Sequence, residues 1–373
     1  MRRSERIKKK KPITPLKKTA EQERAAPTRP EKPATKRGGF YNKHYKQLLL
    51  IPFTILILAI ISIGAHYATT GDIINRGVSL QGGLHVTIPS ATIDNEALAQ
   101  HLNGQFPDHD VESRNLEEAG TQIAVTLSAD ITPEQEATVN EFLAAVQDHT
   151  GVGKNDYSIE TIGSSLGATF FQQTIKALFI AFLFMGMVVF LYFGTGTKIK
   201  AIAAIATAVA GFFMYSPITA LNIIAVLISI GLIIIYAKRS VPSVAVILAA
   251  FSDIVVTLAV TNLIGMKIST AGIAAFLMLI GYSVDTDILL STRILKRTKG
   301  TVYDRLVNAA KTGLTMNFTT LAAILIALVV AESPIINQIM TILLIGLVAD
   351  MINTWLQNAG ILRWHLERQE RRT

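Results

Sequence analysis

Long apolar runs divide this sequence and restrict its fold more than any other feature. An α-helix needs about 20 apolar residues to cross about 30 Å of hydrocarbon. Half of the residues are apolar, only 17% are charged, and the runs carry almost no charge, so the composition excludes a soluble globular protein. Eight runs reach or approach the required length: Leu48–Ala68, Thr174–Phe193, Ile199–Tyr215, Leu221–Tyr236, Val241–Ile264, Ser269–Leu290, Leu314–Ala331 and Ile335–Trp355.

The runs predict a polytopic α-helical membrane protein with about eight spans. We expect a first transmembrane helix at 47–70, a segment outside the membrane at 71–170 and a helical bundle at 171–362. The third and fourth runs are the shortest, so they fit either short spans or a re-entrant pair. The chain has no cysteine, which excludes disulfides and thiolate metal sites.

Basic and acidic residues are segregated along the chain, and their distribution predicts its orientation. Residues 1–40 contain 14 Lys/Arg and 4 Asp/Glu, whereas residues 71–170 contain 3 Lys/Arg and 15 Asp/Glu. Lysine and arginine are enriched in cytoplasmic loops, and here they lie in alternate loops of the eight-span arrangement. We therefore expect a protein of the cytoplasmic membrane with both termini in the cytoplasm and the acidic segment outside.

The two ends of the chain are predicted to be basic cytoplasmic tails, at 1–46 and 363–373. The N-terminal tail has five prolines and few large apolar residues, so it cannot bury enough surface to fold and is expected to be disordered. Its charge suits anionic lipid headgroups or, alternatively, ribosomal RNA or an acidic partner. The lipid interpretation is favoured, and nucleic acid is not an expected partner.

Short alternating segments predict a ferredoxin-like α+β domain in the external segment. Leu84–Ile88, Val111–Asn115, Gln122–Leu127 and Asp156–Ile162 are typical of strands. Asn95–Phe106 is predicted to be a helix capped by Asp94, and a second helix is predicted from Thr132-Pro133-Glu134 to about Gln147. The resulting order β-α-β-β-α-β is that of a split βαβ unit.

The external segment shows no catalytic or metal-binding pattern. His85, His101, His109 and His149 are scattered without the spacing of metal ligands. The sequence has no phosphate-binding loop, nucleophile elbow or zinc-protease motif. We therefore expect an acidic binding module rather than an enzyme, with no catalytic residue, metal or cofactor.

Four carboxylates fall within the predicted spans: Asp253, Asp285, Asp287 and Asp350. Charged side chains at this depth are costly and usually have a function or a buried partner. Asp285 and Asp287 are two residues apart on one helix and point about 200° away from each other. We expect one to face the bundle interior and the other a partner subunit or the inner headgroups; the sequence does not distinguish which.

Polar neighbours accompany these carboxylates. Arg293 ends the helix of Asp285 at the cytoplasmic boundary, and the supporting residues are Thr257, Ser283, Asn317, Thr319 and Thr320. Such side chains can relay protons, or they can hold helices together. For Asp253 and Asp285 ion coupling is favoured, whereas for Asp350 a structural role is equally compatible with the sequence.

Several long motifs resemble the SecF family of protein-export membrane proteins in its archaeal form. They begin with V-P-S-V-A-V-I-L-A-A-F-S-D at Val241 and A-A-F-L-M-L-I-G-Y-S-V-D-T-D-I-L-L-S-T-R at Ala274. K-T-G-L-T-M-N-F-T-T-L-A-A follows at Lys311, and G-L-V-A-D-M-I-N-T-W-L-Q-N at Gly346. Upstream, G-V-S-L-Q-G-G places Gly77, Gly82 and Gly83 in the family's glycine motif.

The resemblance implies a function and a set of partners. Such a protein would pair with SecD, act with the SecYEG channel on unfolded exported polypeptides, and couple an ion gradient, that of protons in the family's manner, to movement of its external domain. Asp253 and Arg293 match the family's membrane aspartate and arginine, and Asp285 and Asp287 occupy Y-S-V-D-T-D positions typical of archaeal members. The family has six spans, so residues 194–238 are an inserted pair.

Two other functions are compatible with these features. One is half of a small-molecule exporter of the related RND superfamily, which would need an external aromatic pocket and a second pseudo-symmetric half. The other is a purely structural subunit that stabilises SecD and transports nothing. The combination of an external binding module with carboxylates inside the membrane favours ion-coupled export.

Overall fold

A computed structural model describes residues 40–118, 121–153, 155–296, 301–331 and 333–371 of the chain. The predicted disorder of residues 1–39 concerns a segment outside these residues. The described part contains a bundle of long apolar helices and a four-stranded sheet with two helices.

Among the described residues, eight helices are long and apolar enough to cross a membrane, as the sequence predicts. The third and fourth, of 19 and 21 residues, are full-length helices rather than short runs. We name the bundle helices α2 (Leu50–Thr70), α6 (Ser164–Phe193), α7 (Thr197–Tyr215), α8 (Thr219–Arg239), α9 (Val241–Leu263), α10 (Thr270–Lys296), α11 (Val302–Val330) and α12 (Pro334–Ile352). A π-helix, Asn353–Asn358, and α13, Ala359–Glu370, continue α12.

The tails differ from the prediction at both ends of the bundle. Residues 40–46 were expected to be disordered, but a short helix, α1, spans Phe40–Leu48. Residues from 363 onward were expected to be a tail, but α13 continues to Glu370. The two segments stabilise each other: Tyr45 is buried and donates a hydrogen bond to Glu367, and the Arg363 guanidinium lies 4.1 Å from the Tyr45 ring centroid. The first helix, α1, and the last helix, α13, therefore lie at the same end of the bundle.

The ferredoxin-like fold of the segment between α2 and α6 is confirmed. Its elements are a short helix α3 (Val78–Gln81), β1 (Gly83–Pro89), α4 (Asn95–Gln105), β2 (Val111–Glu118), β3 (Thr121–Ala129), α5 (Glu136–Thr150) and β4 (Ser158–Ile162). All strand pairs are antiparallel, in the order β2-β3-β1-β4. Leu84, Val86 and Ile88 alternate inward from β1 and pack against both helices. We call this unit the sheet domain.

Two boundaries of the sheet domain were predicted differently. The cap of α4 is correct, because the Asp94 carboxylate accepts from the backbone N–H groups of Glu96 and Ala97. The predicted start of α5 at Thr132 is wrong: the Gln135 N–H donates to the Thr132 carbonyl at 2.9 Å in a turn, and α5 starts only at Glu136. The domain was also expected to reach residue 170, but α6 begins at Ser164 and extends beyond the apolar run.

The helices divide into a central group and a flanking pair. α10 is at the centre and packs against α6, α9, α11 and α12. α7 and α8, which we call the additional pair, pack against each other and against α6 and α9. Phe190 of α6 and Tyr236 of α8 stack at 4.4 Å between ring centroids. The additional pair is therefore attached to one edge of the bundle.

Candidate functional site

Three of the four predicted carboxylates meet inside the bundle. Asp253 on α9, Asp287 on α10 and Asp350 on α12 are each 0% exposed. Their helices pack directly against one another, which brings residues about 100 positions apart in sequence into one cluster. We call these three residues the carboxylate cluster.

Asp253 is bound by side chains from two neighbouring helices. Ser283 of α10 donates to its Oδ2, and the Asn353 amide of the π-helix donates to its Oδ1 at 2.7 Å. Thr257, expected to support the same carboxylate, instead donates to the backbone carbonyl of Asp253 at 2.6 Å. Thr257 therefore satisfies its own helix and leaves the carboxylate to Ser283 and Asn353.

Asp287 and Asp350 share one hydroxyl group. Thr354 Oγ1 lies 2.9 Å from Asp287 Oδ1 and 3.0 Å from Asp350 Oδ1. A hydroxyl has one hydrogen, so it can donate to only one of the two at a time. Asn358 also donates to Asp287 Oδ1, at 2.8 Å, and Asn317 of α11 donates to Asp350 Oδ2, at 3.2 Å. The cluster thus connects α9, α10, α11, α12 and the π-helix.

The π-helix supplies three donors that the sequence analysis did not assign: Asn353, Thr354 and Asn358. On an α-helix, residues five apart lie about 140° from each other, but Asn353 and Asn358 both face the cluster here. Single π-turns are rare in proteins, and those that do occur are often found at functional sites. The sequence signal that was available is the run of polar residues after Asp350, at the end of an otherwise apolar span.

The electrostatics of the cluster are unusual because every donor to it is neutral. In the described part of the chain, no lysine or arginine forms an ion pair with any of the three carboxylates. Charges at short distance in a low-dielectric interior repel strongly and lose their hydration. Three ionised groups cannot be accommodated without bound cations. Among the described residues, no group of three or more His, Asp and Glu side chains has metal-binding geometry.

One oxygen of the cluster is open to a new bond. Asp287 Oδ2 is buried and has no hydrogen-bond partner among the described residues. The nearby Ser291, one turn further along α10, also has a buried hydroxyl without a partner. A carboxyl group with one oxygen fixed and one open can gain or lose a proton with little rearrangement of its existing bonds.

The remaining membrane residues of the prediction lie elsewhere. Asp285 is exposed on the opposite face of α10 from Asp287, so the two residues do face in different directions and Asp287 is the interior one. Arg293 donates to the Asn308 carbonyl (2.9 Å) and to Thr312 (2.7 Å) rather than to a carboxylate. Thr320 is half-buried and donates to a backbone carbonyl of its own helix.

The glycine motif joins the sheet domain to the bundle. Gly83 has φ +147°, and a Cβ there would lie 2.3 Å from the Ala129 carbonyl oxygen. Gly82 has φ +92°, and its Cβ would lie 2.8 Å from the Cα of Ser164, at the start of α6. Gly77 N–H donates to the Ile268 carbonyl at 2.9 Å. The motif is therefore a close junction of backbone segments rather than a binding loop.

The four histidines of the sheet domain have separate local contacts. His85 Nδ1 is 2.9 Å from Ser128 Oγ, His109 is 3.2 Å from Asp130, and the rings of His101 and His149 stack at 4.6 Å. Burial of the His85 ring lowers its pKa below the ordinary histidine value. These contacts stabilise the sheet domain and do not assemble a ligand set.

Comparisons with known proteins place most of the chain in one group. The family model described as "Protein export membrane protein SecD/SecF, C-terminal" matches residues 142–214 and 197–368. The two segments overlap within α7, so the match breaks at the additional pair. The chain is 35% identical to the protein-export membrane protein SecF of Methanocaldococcus jannaschii, over 87% of this chain and 96% of the relative.

Other relatives agree with this result. The SecF protein of Pyrococcus furiosus is 31% identical, over 87% of this chain and 92% of its own length. A solved structure of SecDF, a translocon-associated membrane protein from Thermus thermophilus, matches with a TM-score of 0.52 at 16% identity. That match covers 88% of this chain and 39% of the solved chain, and it supports the fold alone.

Proposed function

Because this chain belongs to the SecF family of protein-export membrane proteins, we propose that it uses proton movement through the carboxylate cluster to move its sheet domain during protein export. The observation that carries this proposal is a buried group of three carboxylates, on three helices, with only neutral donors and one open oxygen. In this proposal the sheet domain lies outside the cytoplasmic membrane, and both termini lie in the cytoplasm.

Proton binding at the cluster changes which helices are held together. With Asp287 and Asp350 both ionised, Thr354 can satisfy only one of them, and the two charges repel. A proton on either residue removes the repulsion and adds a donor, which can bond the oxygen of its neighbour. Each protonation step therefore favours a different packing of α10 against α12, as a two-state switch requires.

The switch has a direct connection to the sheet domain. The loop 264–269 joins α9 to α10, the helices that carry Asp253 and Asp287. Its Ile268 N–H donates to the Asn75 carbonyl at 2.7 Å, on the linker between α2 and the sheet domain. Asn262, at the end of α9, donates to the Ile73 carbonyl of the same linker at 2.8 Å. A shift of α9 or α10 must move this linker.

Two ion pairs extend the connection from the loop 264–269 into the sheet. Lys267 of the loop contacts Asp110 at 2.7 Å and Glu112 at 3.2 Å, at the start of the edge strand β2. The lysine side chain is 23% exposed, so its charge is partly shielded from water. The loop therefore contacts both the linker and the sheet, and we propose that it transmits the switch to the domain that acts on exported chains.

The exposed face of α10 supports a second subunit as partner. Met278, Tyr282 and Asp285 follow helical spacing on this face and are all exposed. A carboxylate facing hydrocarbon is costly, whereas a partner helix can provide a donor. We propose that SecD covers this face, and that the pair acts with the SecYEG channel on unfolded exported polypeptides in the cytoplasmic membrane.

The test measures export with the complete chain, co-expressed with SecD, in membrane vesicles with and without an imposed proton gradient. Asp287→Asn is expected to abolish the gradient-dependent part of export and to leave SecD recovery unchanged. Asp148→Asn, an exposed carboxylate of α5, is the matched control and is expected to behave as wild type. Full gradient-dependent export by Asp287→Asn would refute proton coupling. If no variant or wild type responds to the gradient, a structural SecD-stabilising role is the correct function.

A further inference from the structure

The additional pair closes one side of an apolar cavity of about 460 Å³. Leu178 of α6, Ile254 and Leu258 of α9 and Phe276 of α10 line its interior. Pro217, on the turn between α7 and α8, and Asn222, in the first turn of α8, contribute the side of the additional pair. This volume is within the range of about 300–1,000 Å³ for small-molecule sites.

Lys176 is the one lysine among the residues that line this cavity. Lys176 Nζ donates to the Ser216 carbonyl at 3.0 Å. With its amide oriented to satisfy both ends, Asn222 accepts from Lys176 Nζ at 3.3 Å and donates to the Ser216 carbonyl at 3.1 Å. Both acceptors are neutral and both belong to the additional pair or its turn. In the described part of the chain no carboxylate forms an ion pair with Lys176, so its charge is available to an anion.

The position of the cavity indicates where its occupant comes from. It lies at the sheet-domain end of the bundle, between the linker residue Ile74 and the spans. Ile73, Ile175 and Ile218 beside it are 52%, 40% and 57% exposed, on a surface that only a bilayer or another apolar partner would cover. The ammonium of Lys176 therefore lies at the edge of the apolar layer, at the depth of lipid headgroups.

We propose that this cavity is a binding site for one membrane phospholipid. Its acyl chain occupies the apolar interior between α6, α9 and α10, and its anionic phosphate pairs with Lys176. The additional pair creates the site, because its turn supplies the wall and the two neutral acceptors that hold the lysine in place. This gives residues 194–238 a role that is independent of proton coupling and of SecD binding.

The first experiment measures lipid selectivity of the complete chain in nanodiscs of equal parts phosphatidylglycerol and phosphatidylcholine with identical acyl chains. After mild detergent extraction, native mass spectrometry counts the lipids retained on each chain. Wild type is expected to retain phosphatidylglycerol about fivefold above its bulk ratio, the effect of one lysine near headgroups. Lys176→Gln is expected to retain both lipids in the bulk ratio.

Lys200→Gln is the matched control. Lys200 also donates to a backbone carbonyl, that of Leu191 at 2.6 Å, but it lies at the other end of the additional pair and does not line this cavity. The Lys200→Gln variant is expected to retain phosphatidylglycerol as wild type does. Leu258→Trp fills the apolar interior and is expected to lose both lipids; if it does not purify as a single species, Lys176→Gln alone decides. No preference in wild type, or an unchanged preference in Lys176→Gln, would overturn the proposal.

A second experiment distinguishes a lipid from a partner helix or an exported segment. The natural chain has no cysteine, so Ile175→Cys offers one attachment point for a photoreactive benzophenone at the rim of the cavity. In membranes that contain the co-expressed partner, illumination is expected to add the mass of one phospholipid. An adduct of protein size would show that another polypeptide fills the cavity, and it would overturn the lipid assignment.

Discussion

Replacing Asp287 by asparagine isolates the charge of the cluster from its hydrogen bonds. Thr354 and Asn358 donate to the same oxygen of Asp287, Oδ1, whereas Oδ2 has no partner within the described part of the chain. An asparagine can keep Oδ1 as the acceptor of both bonds and place its NH₂ group at the open position. The substitution therefore removes a negative charge at little cost in hydrogen bonding.

The size of the effect follows from the shared hydroxyl. Because Thr354 Oγ1 is 2.9 Å from Asp287 Oδ1 and 3.0 Å from Asp350 Oδ1, these two oxygens are at most about 6 Å apart. At that distance two unit charges repel by about 3 kcal/mol for an effective dielectric of about 20. For a chain of this length, relief of this repulsion corresponds to an increase of about 4 °C in the midpoint of thermal unfolding. The midpoint of the Asp287→Asn variant should rise above that of wild type at a pH at which wild type has to carry both charges.

The measurement is thermal unfolding of the complete chain in nanodiscs at pH 6 and pH 9. The chain has two tryptophans, and Trp355 lies in the π-helix beside the cluster, so intrinsic fluorescence reports this region. Asp287→Asn is expected to unfold close to the wild-type midpoint at pH 6 and above it at pH 9. Asp148→Asn is expected to match wild type at both. Equal shifts at the two pH values, or a lower midpoint at pH 9, would refute the charge-repulsion argument.

Two further predictions concern the sheet domain. Lys267→Gln removes the ion pairs with Asp110 and Glu112, which contribute about 1 kcal/mol at this exposure. We therefore expect the linker amides near Gly77 to exchange hydrogen about fivefold faster, as measured by hydrogen-exchange mass spectrometry. Unchanged exchange would contradict the proposed connection. His85 has a pKa lowered by burial, so the unfolded chain binds its proton more readily than the folded one, and lowering the pH from 7.5 through the ordinary histidine range should reduce stability. His85→Gln should show a smaller loss in the same thermal scan, and a loss equal to that of wild type would exclude His85 as its cause.

The fold was largely predictable because its signals are local. Apolar runs of membrane length and alternating strands have fixed periods, so the eight spans and the ferredoxin-like order could be derived without long-range contacts. One error occurs where distant segments meet. Residues 40–46 are polar enough to predict disorder, yet Tyr45 is buried against α13, more than 300 positions away in sequence.

The site was predictable only in part, for a geometric reason. Helical periodicity gives the angle between Asp285 and Asp287, but not the direction in which the bundle lies, so the interior residue had to come from the structure. The π-helix is a second obstacle, because its wider turn brings Asn353 and Asn358 to one face and no α-helical pattern predicts this. Arg293 was an ion-coupling candidate because it matches the family's arginine, but its guanidinium donates to Asn308 and Thr312 of α11 rather than to a carboxylate.

Under the proposed function, the arrangement of α9 and α10 is what would let the buried carboxylate cluster act on the sheet domain. Asp253 is ten residues before the end of α9, about 15 Å along the helix, and Asp287 is about 25 Å from the start of α10. Packed helices move as stiff elements between discrete arrangements rather than deforming continuously. A change in the hydrogen bonds of the cluster therefore reaches the loop 264–269 as a displacement of its two ends. Because that loop holds the linker through backbone hydrogen bonds, side-chain substitutions in it can weaken the connection but cannot remove it.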